Sequence, residues 1–123
     1  MPNSTPKKNR LAAFKRQAGC CHYCGSAMWI ENLEEFASKF NISIRSATRF
    51  QCTAEHLVAR QDGGSDSSKN IVAACRFCNS TRHRIPTAPD PRTYKKHVQR
   101  RVSAGKWHPK HVQGLVTSGN TLR

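Results

Sequence analysis

Residues 48–83, with the sequence TRFQCTAEHLVARQDGGSDSSKNIVAACRFCNSTRH, decide the fold of this chain. Over residues 48–55 apolar and polar residues alternate, which is the period of a half-buried strand. A loop rich in Gly, Ser and Asp follows, and the apolar run 71–74 then predicts a second strand. Residues 76–84 contain no helix breaker, so the predicted order is strand, loop, strand, helix. The apolar positions of the first strand are Phe50, Cys52 and Ala54.

Helices are predicted on both sides of this segment. A first helix is predicted over residues 6–18, before Gly19. Asn32 followed by Glu35 resembles a capping box and predicts a second short helix. A helix can also begin at residues 90–91, where Asp precedes Pro. The apolar positions of the first of these helices are Leu11, Phe14 and Ala18, and those of the last are Tyr94, Val98 and Val102.

The charge of the chain lies in its flanks. The 123 residues carry a formal net charge of +14. Residues 1–16 have five basic and no acidic side chains, residues 17–81 have six of each, and residues 82–123 have ten basic and one acidic. A neutral middle with basic arms is typical of a protein that neutralises nucleic-acid phosphates. A solvated, ribosome-like basic tail is the alternative, and charge alone does not distinguish DNA from RNA.

The length and hydropathy predict one compact, soluble unit without a membrane segment. A chain of this size suits a single domain. No stretch reaches the ~20 apolar residues of a membrane helix, and the first residues lack the apolar run of a signal peptide. We therefore expect an intracellular, cytoplasmic protein. In a reducing compartment, Cys-x-x-Cys pairs indicate metal ligands rather than disulfides.

Two such pairs predict a structural zinc site. Their spacing lets both sulfurs of a turn reach one tetrahedral zinc at ~2.3 Å. A closed four-thiolate site leaves no position for water, so this zinc would stabilise the fold rather than catalyse. Cys20 is in the wrong register, and Cys52 is interpreted as a small inward-facing hydrophobe. The predicted ligands are Cys21, Cys24, Cys75 and Cys78.

A second set of polar residues lies between and beside the two Cys-x-x-Cys pairs, each of which is predicted to form a zinc knuckle. A simple zinc-binding module has no need of these residues. Asn79 and His83 are four residues apart on the predicted helix, so they share one face and can point at one cation. Arg76 lies about one turn earlier on that face, where it can hold a phosphate. The other members of the set are Glu55, His56 and Asn70.

These residues resemble the HNH endonucleases, a family whose ββα-metal core is commonly held by two Cys-x-x-Cys pairs. The resemblance covers about residues 21–83. It implies an α+β fold: a small ββα-metal core clasped by a four-cysteine zinc site, with flanking basic helices. It divides the chain into a basic N-terminal helix (1–19), a zinc-clasped nuclease core (20–85) and a basic C-terminal extension (86–123). The motifs that carry it are Glu55 with His56, Gly63 with Gly64, Asn70 with Ile71 and Val72, and Cys75-x-x-Cys78 with Asn79.

The resemblance also implies a role for each polar residue. His56 would be the general base, Glu55 would bind the catalytic metal, and Asn70 would orient the catalytic loop. Asn79 and His83 fall where family members place metal ligands. Because neighbouring strand residues point to opposite faces, Glu55 and His56 must lie where the strand ends.

The implied activity is metal-dependent hydrolysis of DNA phosphodiester bonds by a single catalytic cation. A carboxylate at Glu55 favours magnesium or manganese, and an imidazole at His83 broadens tolerance toward nickel. A zinc-knuckle nucleic-acid-binding module without catalysis is the alternative, and a ribosome-associated basic protein ranks third. Nicking versus double-strand cleavage, sequence specificity and oligomeric state stay open.

Overall fold

A computed structural model describes residues 4–112 and Leu115, so residues 1–3, 113–114 and 116–123 of the predicted arms lie outside the described part. The fold is α+β, as predicted. No helix of the described residues is long and apolar enough to cross a membrane. In chain order, the elements are α1 (Ser4–Arg16), α2 (Leu33–Phe40), α3 (Ile44–Thr48), β1 (Cys52–His56), a 3₁₀ turn (Arg60–Asp62), β2 (Ile71–Cys75), α4 (Arg76–His83), α5 (Pro91–Ser103) and a second 3₁₀ turn (Lys110–Val112).

The two strands and the helix after them follow the predicted order. β1 and β2 form a two-stranded antiparallel sheet in which Cys52 pairs with Cys75 and His56 pairs with Ile71. Helix α4 begins immediately after β2, because the Cys75 side chain caps it by accepting a hydrogen bond from the Cys78 backbone N–H. The cross-strand pair of Cys52 and Cys75 therefore lies at one end of the sheet, and His56 lies at the other end.

Strand β1 is shorter than the strand predicted over residues 48–55, and the prediction is wrong at its start. Residues 44–48 form helix α3, capped by the Ser43 side chain on the Ser46 backbone N–H. Phe50 is buried in a separate apolar cluster beside α2 and α3. Local capping and that cluster thus override the alternating pattern. Cys52 is buried as predicted, and burial raises the pKa of its thiol to about 12, which suits a neutral, apolar role.

Helix α1 begins and ends two residues earlier than predicted. Ala18 and Gly19 both adopt positive φ angles, of 56° and 76°, so the chain leaves the helix after Arg16. Leu11 is 42 % exposed, and Ala18 is also exposed, so of the predicted apolar positions of α1 only Phe14 packs against the core.

The caps of α2 and α5 are confirmed. The Asn32 side chain accepts a hydrogen bond from the Glu35 backbone N–H at 2.9 Å. The Asp90 carboxylate accepts one from the Thr93 N–H at 3.0 Å, with proline in the first turn of α5. These local bonds satisfy backbone donors that the first turn of a helix leaves unpaired.

The main core surrounds the four cysteines and includes both flanking helices. Ala13 of α1 and Tyr94 and Val98 of α5 belong to the same buried cluster as the cysteines. Gln17 extends this packing, because its side-chain amide both donates to the Ala73 carbonyl at 2.8 Å and accepts from the Ala73 N–H at 3.0 Å. The basic helices are therefore packed parts of one core.

Candidate functional site

The two Cys-x-x-Cys pairs meet in space. All four sulfurs lie within 4.8 Å of one another, and all four residues are buried. The Sγ atoms of Cys24 and Cys75 are 3.9 Å apart. Sulfurs bound to one tetrahedral zinc at ~2.3 Å stand about 3.8 Å apart. The cluster of Cys21, Cys24, Cys75 and Cys78 is therefore compatible with a structural zinc, as the spacing predicted.

The thiols of this cluster differ in the direction in which their pKa values are shifted. Burial raises the pKa of Cys21, but hydrogen bonds from the other three thiols outweigh it and hold that pKa well below the ordinary value. A hydrogen bond to Cys21 is the largest cause that raises the pKa of Cys24, and burial is the largest cause that raises the pKa of Cys78. A divalent cation bound by the four sulfurs would displace their remaining protons, because thiolates are the metal ligands.

Nitrogen donors surround the sulfurs. The Cys75 backbone N–H donates to Cys21 Sγ at 3.3 Å, and the Cys78 N–H donates to Cys75 Sγ at 3.4 Å. Trp107 adds its indole N–H, which donates to Cys78 Sγ at 3.3 Å. Such outer hydrogen bonds orient metal-binding thiolates. The Trp107 contact joins residues 29 apart and carries no signal in the sequence.

A cleft of about 360 Å³ opens at the other end of the sheet. Four of the predicted residues line it together: Glu55, His56, Asn79 and His83. Among the described residues, the cleft is also lined by Ala59, Arg60 and Gln61 of the loop after β1. Neighbouring side chains of a strand point to opposite faces, so Glu55 and His56 were expected to lie where the strand ends. β1 does end at His56.

The Asn70 side chain holds the loop at the edge of this cleft through three hydrogen bonds. Its side-chain Oδ1 accepts from the Val58 N–H at 2.8 Å, and its Nδ2 donates to the carbonyls of Val58 at 3.1 Å and Ser65 at 2.8 Å. A Cβ atom at Gly64 would lie 1.6 Å from the Val58 carbonyl oxygen, so only glycine fits there. The loop following His56 is thus held by a side chain at the start of β2.

Glu55 is the most enclosed charged group of the site. Its side chain is 1 % exposed. Oε2 accepts from the Tyr23 hydroxyl at 2.7 Å and from Arg82 at 2.9 Å, while Oε1 contacts His83 Nε2 at 2.8 Å. Burial and the Glu55 charge raise the pKa of Tyr23 well above its usual range, so its hydroxyl keeps the proton that it donates.

Arg82 was missed by the sequence reasoning. It is buried, and besides Glu55 it donates to the backbone carbonyls of His56 at 2.9 Å, Leu57 at 2.8 Å and Pro89 at 3.0 Å. A buried arginine needs such a full set of acceptors. It therefore fixes the end of β1, from which the Glu55 and His56 side chains enter the cleft.

His56 is held by an acid that the sequence reasoning also missed. Its Nε2 lies 2.7 Å from Asp66 Oδ1, and Arg60 contacts the same oxygen at 3.1 Å. The hydrogen bond with His56 is the largest cause that lowers the pKa of Asp66, so this carboxylate is an ionised acceptor. His56 Nε2 must then carry the hydrogen, which leaves Nδ1 as the nitrogen able to accept a proton. Arg60 Nε, 3.2 Å from His56 Nε2, cannot also donate to that nitrogen.

The three polar residues predicted on the helix have different surroundings. His83 contacts Glu55 in the cleft, and Asn79 lines it while its Nδ2 donates to Thr53 Oγ1 at 3.0 Å and to the Ala54 carbonyl at 3.3 Å. Arg76 is exposed and is not among the residues that line the cleft. The structure thus brings Asn79 and His83 to Glu55 and leaves Arg76 outside.

The donors of the cleft fit a divalent cation by their chemistry. Glu55, His83 and Asn79 line the cleft together and offer a carboxylate oxygen, an imidazole nitrogen and an amide oxygen. Such mixed oxygen and nitrogen donors suit magnesium or manganese, and the imidazole extends the range to other transition ions.

Comparison with known proteins adds one match. Residues 37–84 match the family model described as HNH endonuclease. No curated protein and no solved structure matches the chain. The matched residues include the sheet, helix α4 and the whole cleft-lining set, but not Cys21 and Cys24. An HNH domain indicates a nuclease or nucleic-acid-binding function. By this match, residues 37–84 are similar to the HNH endonuclease domain.

Proposed function

We propose that this chain is a metal-dependent endonuclease that hydrolyses DNA phosphodiester bonds. One observation carries the proposal: an oriented imidazole, His56, and a carboxylate–imidazole pair, Glu55 and His83, line the same cleft. A phosphodiester bound there would meet a base and a cation site at once. This combination is what hydrolysis by activated water requires.

His56 is the proposed general base. Asp66 orients the ring through Nε2, so Nδ1 can take a proton from water as that water attacks the phosphorus in line. Asn70 supports this step indirectly, because it fixes the loop on which Asp66 lies. Arg60, whose side chain is 63 % exposed, can contact the phosphate from the same edge of the cleft.

Glu55 and His83 would hold the catalytic cation, with Asn79 as a third donor. When bound, the cation supplies charge stabilisation to the phosphoryl and leaving oxygens. Arg82 and Tyr23 occupy Oε2 of Glu55, which leaves Oε1 for this role. Arg76 would contact a phosphate outside the cleft.

A plasmid assay tests the proposal. The full chain is loaded with zinc and incubated with supercoiled plasmid in magnesium, manganese or nickel. We expect nicked or linear DNA, loss of cleavage with EDTA, and recovery when manganese is added back. DNA binding without cleavage in any of the three metals would contradict the proposal.

The cation ligands have their own prediction. Replacing His83 with alanine should raise the manganese concentration for half-maximal cleavage by at least about tenfold, since even an outer-shell partner is worth that much. Higher manganese should partly restore the rate. Asn79→Ala should shift the curve less, because its amide is also engaged with Thr53. Ser80→Ala, an exposed neighbour on α4, is the control. Equal manganese curves for Ser80→Ala and His83→Ala would remove His83 from the site.

The basic surface of α5 should supply sequence-independent affinity. Lys96 and Arg100 are exposed and line a shallow surface cleft. Truncating this segment would remove Tyr94 and Val98 from the core, so charge is better tested by exposed substitutions. Lys96→Gln with Arg100→Gln should weaken DNA binding and lower the salt slope by nearly one unit for each phosphate that the variant no longer neutralises.

The control for the loss of charge is a double variant on helices α2 and α3. Lys39→Gln with Arg45→Gln removes the same charge from exposed positions of α2 and α3. Helix α2 also carries two acidic residues in its first turn, which disfavours phosphate contact there. Binding titrations at several salt concentrations make the comparison. Equal salt slopes for the two double variants would exclude α5 as a phosphate-binding surface.

A non-catalytic nucleic-acid-binding module is the second candidate. The observation that favours it is the Arg82–Glu55 ion pair, which balances the buried carboxylate without any cation. In that case His83 and Glu55 would form a structural pair, and the basic helices would carry the function. The plasmid assay separates the two candidates because only the nuclease converts DNA.

A further inference from the structure

We propose that Tyr23, within the zinc knuckle, is a positioning residue for the cation-binding carboxylate of Glu55. The inference rests on the proposed function, because it requires a cation at Glu55 and His83. Tyr23 lies between two cysteines of the zinc cluster and donates its hydroxyl to Glu55 Oε2 at 2.7 Å. One residue thus connects the cysteine turn to the carboxylate of the proposed cation site.

The knuckle itself aims this side chain. The Tyr23 backbone N–H donates to Cys21 Sγ at 3.4 Å, so the turn that presents the sulfur also sets the direction of the tyrosine. The ring is completely buried and packs edge-on against Tyr94, with ring centres 4.8 Å apart and planes at 83°. Neither end of Tyr23 can move without disturbing the knuckle or the core.

The hydrogen bonds of Glu55 divide its two oxygens between separate tasks. Tyr23 and Arg82 both donate to Oε2, whereas Oε1 faces His83 in the cleft. Rotation of the carboxylate would break both bonds to Oε2 inside a site with little access to water. Oε1 is therefore presented in one orientation, as a single cation ligand.

Loss of the Tyr23 hydroxyl should weaken cation binding without removing a ligand. Arg82 would still balance the charge of Glu55, but one of the two bonds that orient the carboxylate would be gone. Removing an outer-shell partner of a metal ligand typically lowers metal affinity by about tenfold or more. Because the knuckle orders Tyr23, zinc loading is also expected to set the affinity of the cleft for its cation.

The test compares two tyrosines of the zinc-loaded full chain. Tyr23→Phe and Tyr94→Phe each remove one buried hydroxyl, since the Tyr94 hydroxyl donates to the Cys78 carbonyl at 2.7 Å. Both keep the packed ring pair. Manganese affinity is measured from the electron paramagnetic resonance signal of free manganese. We expect this affinity to be about tenfold lower in Tyr23→Phe than in the wild type. Tyr94→Phe should bind manganese as the wild type does, with zinc content unchanged in both.

The outcomes separate this inference from the proposed function. Unchanged or tighter manganese binding in Tyr23→Phe, or equal weakening in both tyrosine variants, overturns the positioning role. If His83→Ala then still loses manganese affinity, the cation site and the proposed function stand. If the wild type and His83→Ala bind manganese equally, both the inference and the cation site are overturned.

Discussion

Replacing His56 with alanine should lower the rate of DNA cleavage by at least about a hundredfold, which is the usual contribution of a positioned general base. Zinc content, thermal stability and DNA affinity should stay close to those of the wild type. The reason is that the base acts in the transition state and is not needed to hold the duplex. A plasmid nicking assay across a manganese titration measures the effect. Added manganese should not rescue this variant, in contrast to His83→Ala.

The matched control removes a histidine elsewhere. His97 is exposed on α5, where its ring contacts Trp107 rather than the cleft. His97→Ala should cleave plasmid at the wild-type rate. Equal cleavage by wild type and His56→Ala would remove the catalytic interpretation and leave the binding-module candidate.

Replacing Cys21 with serine should abolish zinc binding and the cooperative fold. The four sulfurs join segments that are more than fifty residues apart in sequence, and they lie at the centre of the main core. A structural zinc contributes on the order of 10 kcal/mol to folding in small zinc modules. Metal analysis and thermal unfolding of the purified chain measure both effects.

The adjacent cysteine provides the control for this prediction. Cys20 lies outside the four-sulfur cluster and is half-buried. Cys20→Ser should therefore keep one zinc per chain and a melting temperature near that of the wild type. A Cys21→Ser protein that still binds zinc, or that unfolds like Cys20→Ser, would contradict a structural zinc at this cluster.

The strand–loop–strand–helix order was predictable because its signals are local. Cysteine spacing, helix caps such as Asn32 and Asp90, and the apolar run of β2 act over a few residues. The same locality explains the errors. Residues 48–50 alternate enough to resemble the start of a strand, but the Ser43 cap and the burial of Phe50 beside α2 turn this stretch into the end of a helix and a turn.

The candidate site was predictable only in part. Glu55, His56, Asn79 and His83 could be selected from motif spacing, and the fold brings them to one cleft. Their partners could not, because each lies on another element. A contact between residues 27 to 32 apart, such as those of Glu55 with Arg82 and Tyr23, depends on how helix α4 and the knuckle pack on the sheet.

The sequence by itself determined the ligand types, the zinc-knuckle spacing and the basic charge of the flanks, since these follow from composition and short-range order. Only the tertiary structure decided which partners fix each reactive group: Asp66 accepts from His56, and Tyr23 and Arg82 donate to Glu55. It also placed α1 and α5 in the core with the cysteines. The physical reason is that a buried charge must find its partners from whichever elements the packing brings near, and spacing along the chain does not encode that proximity.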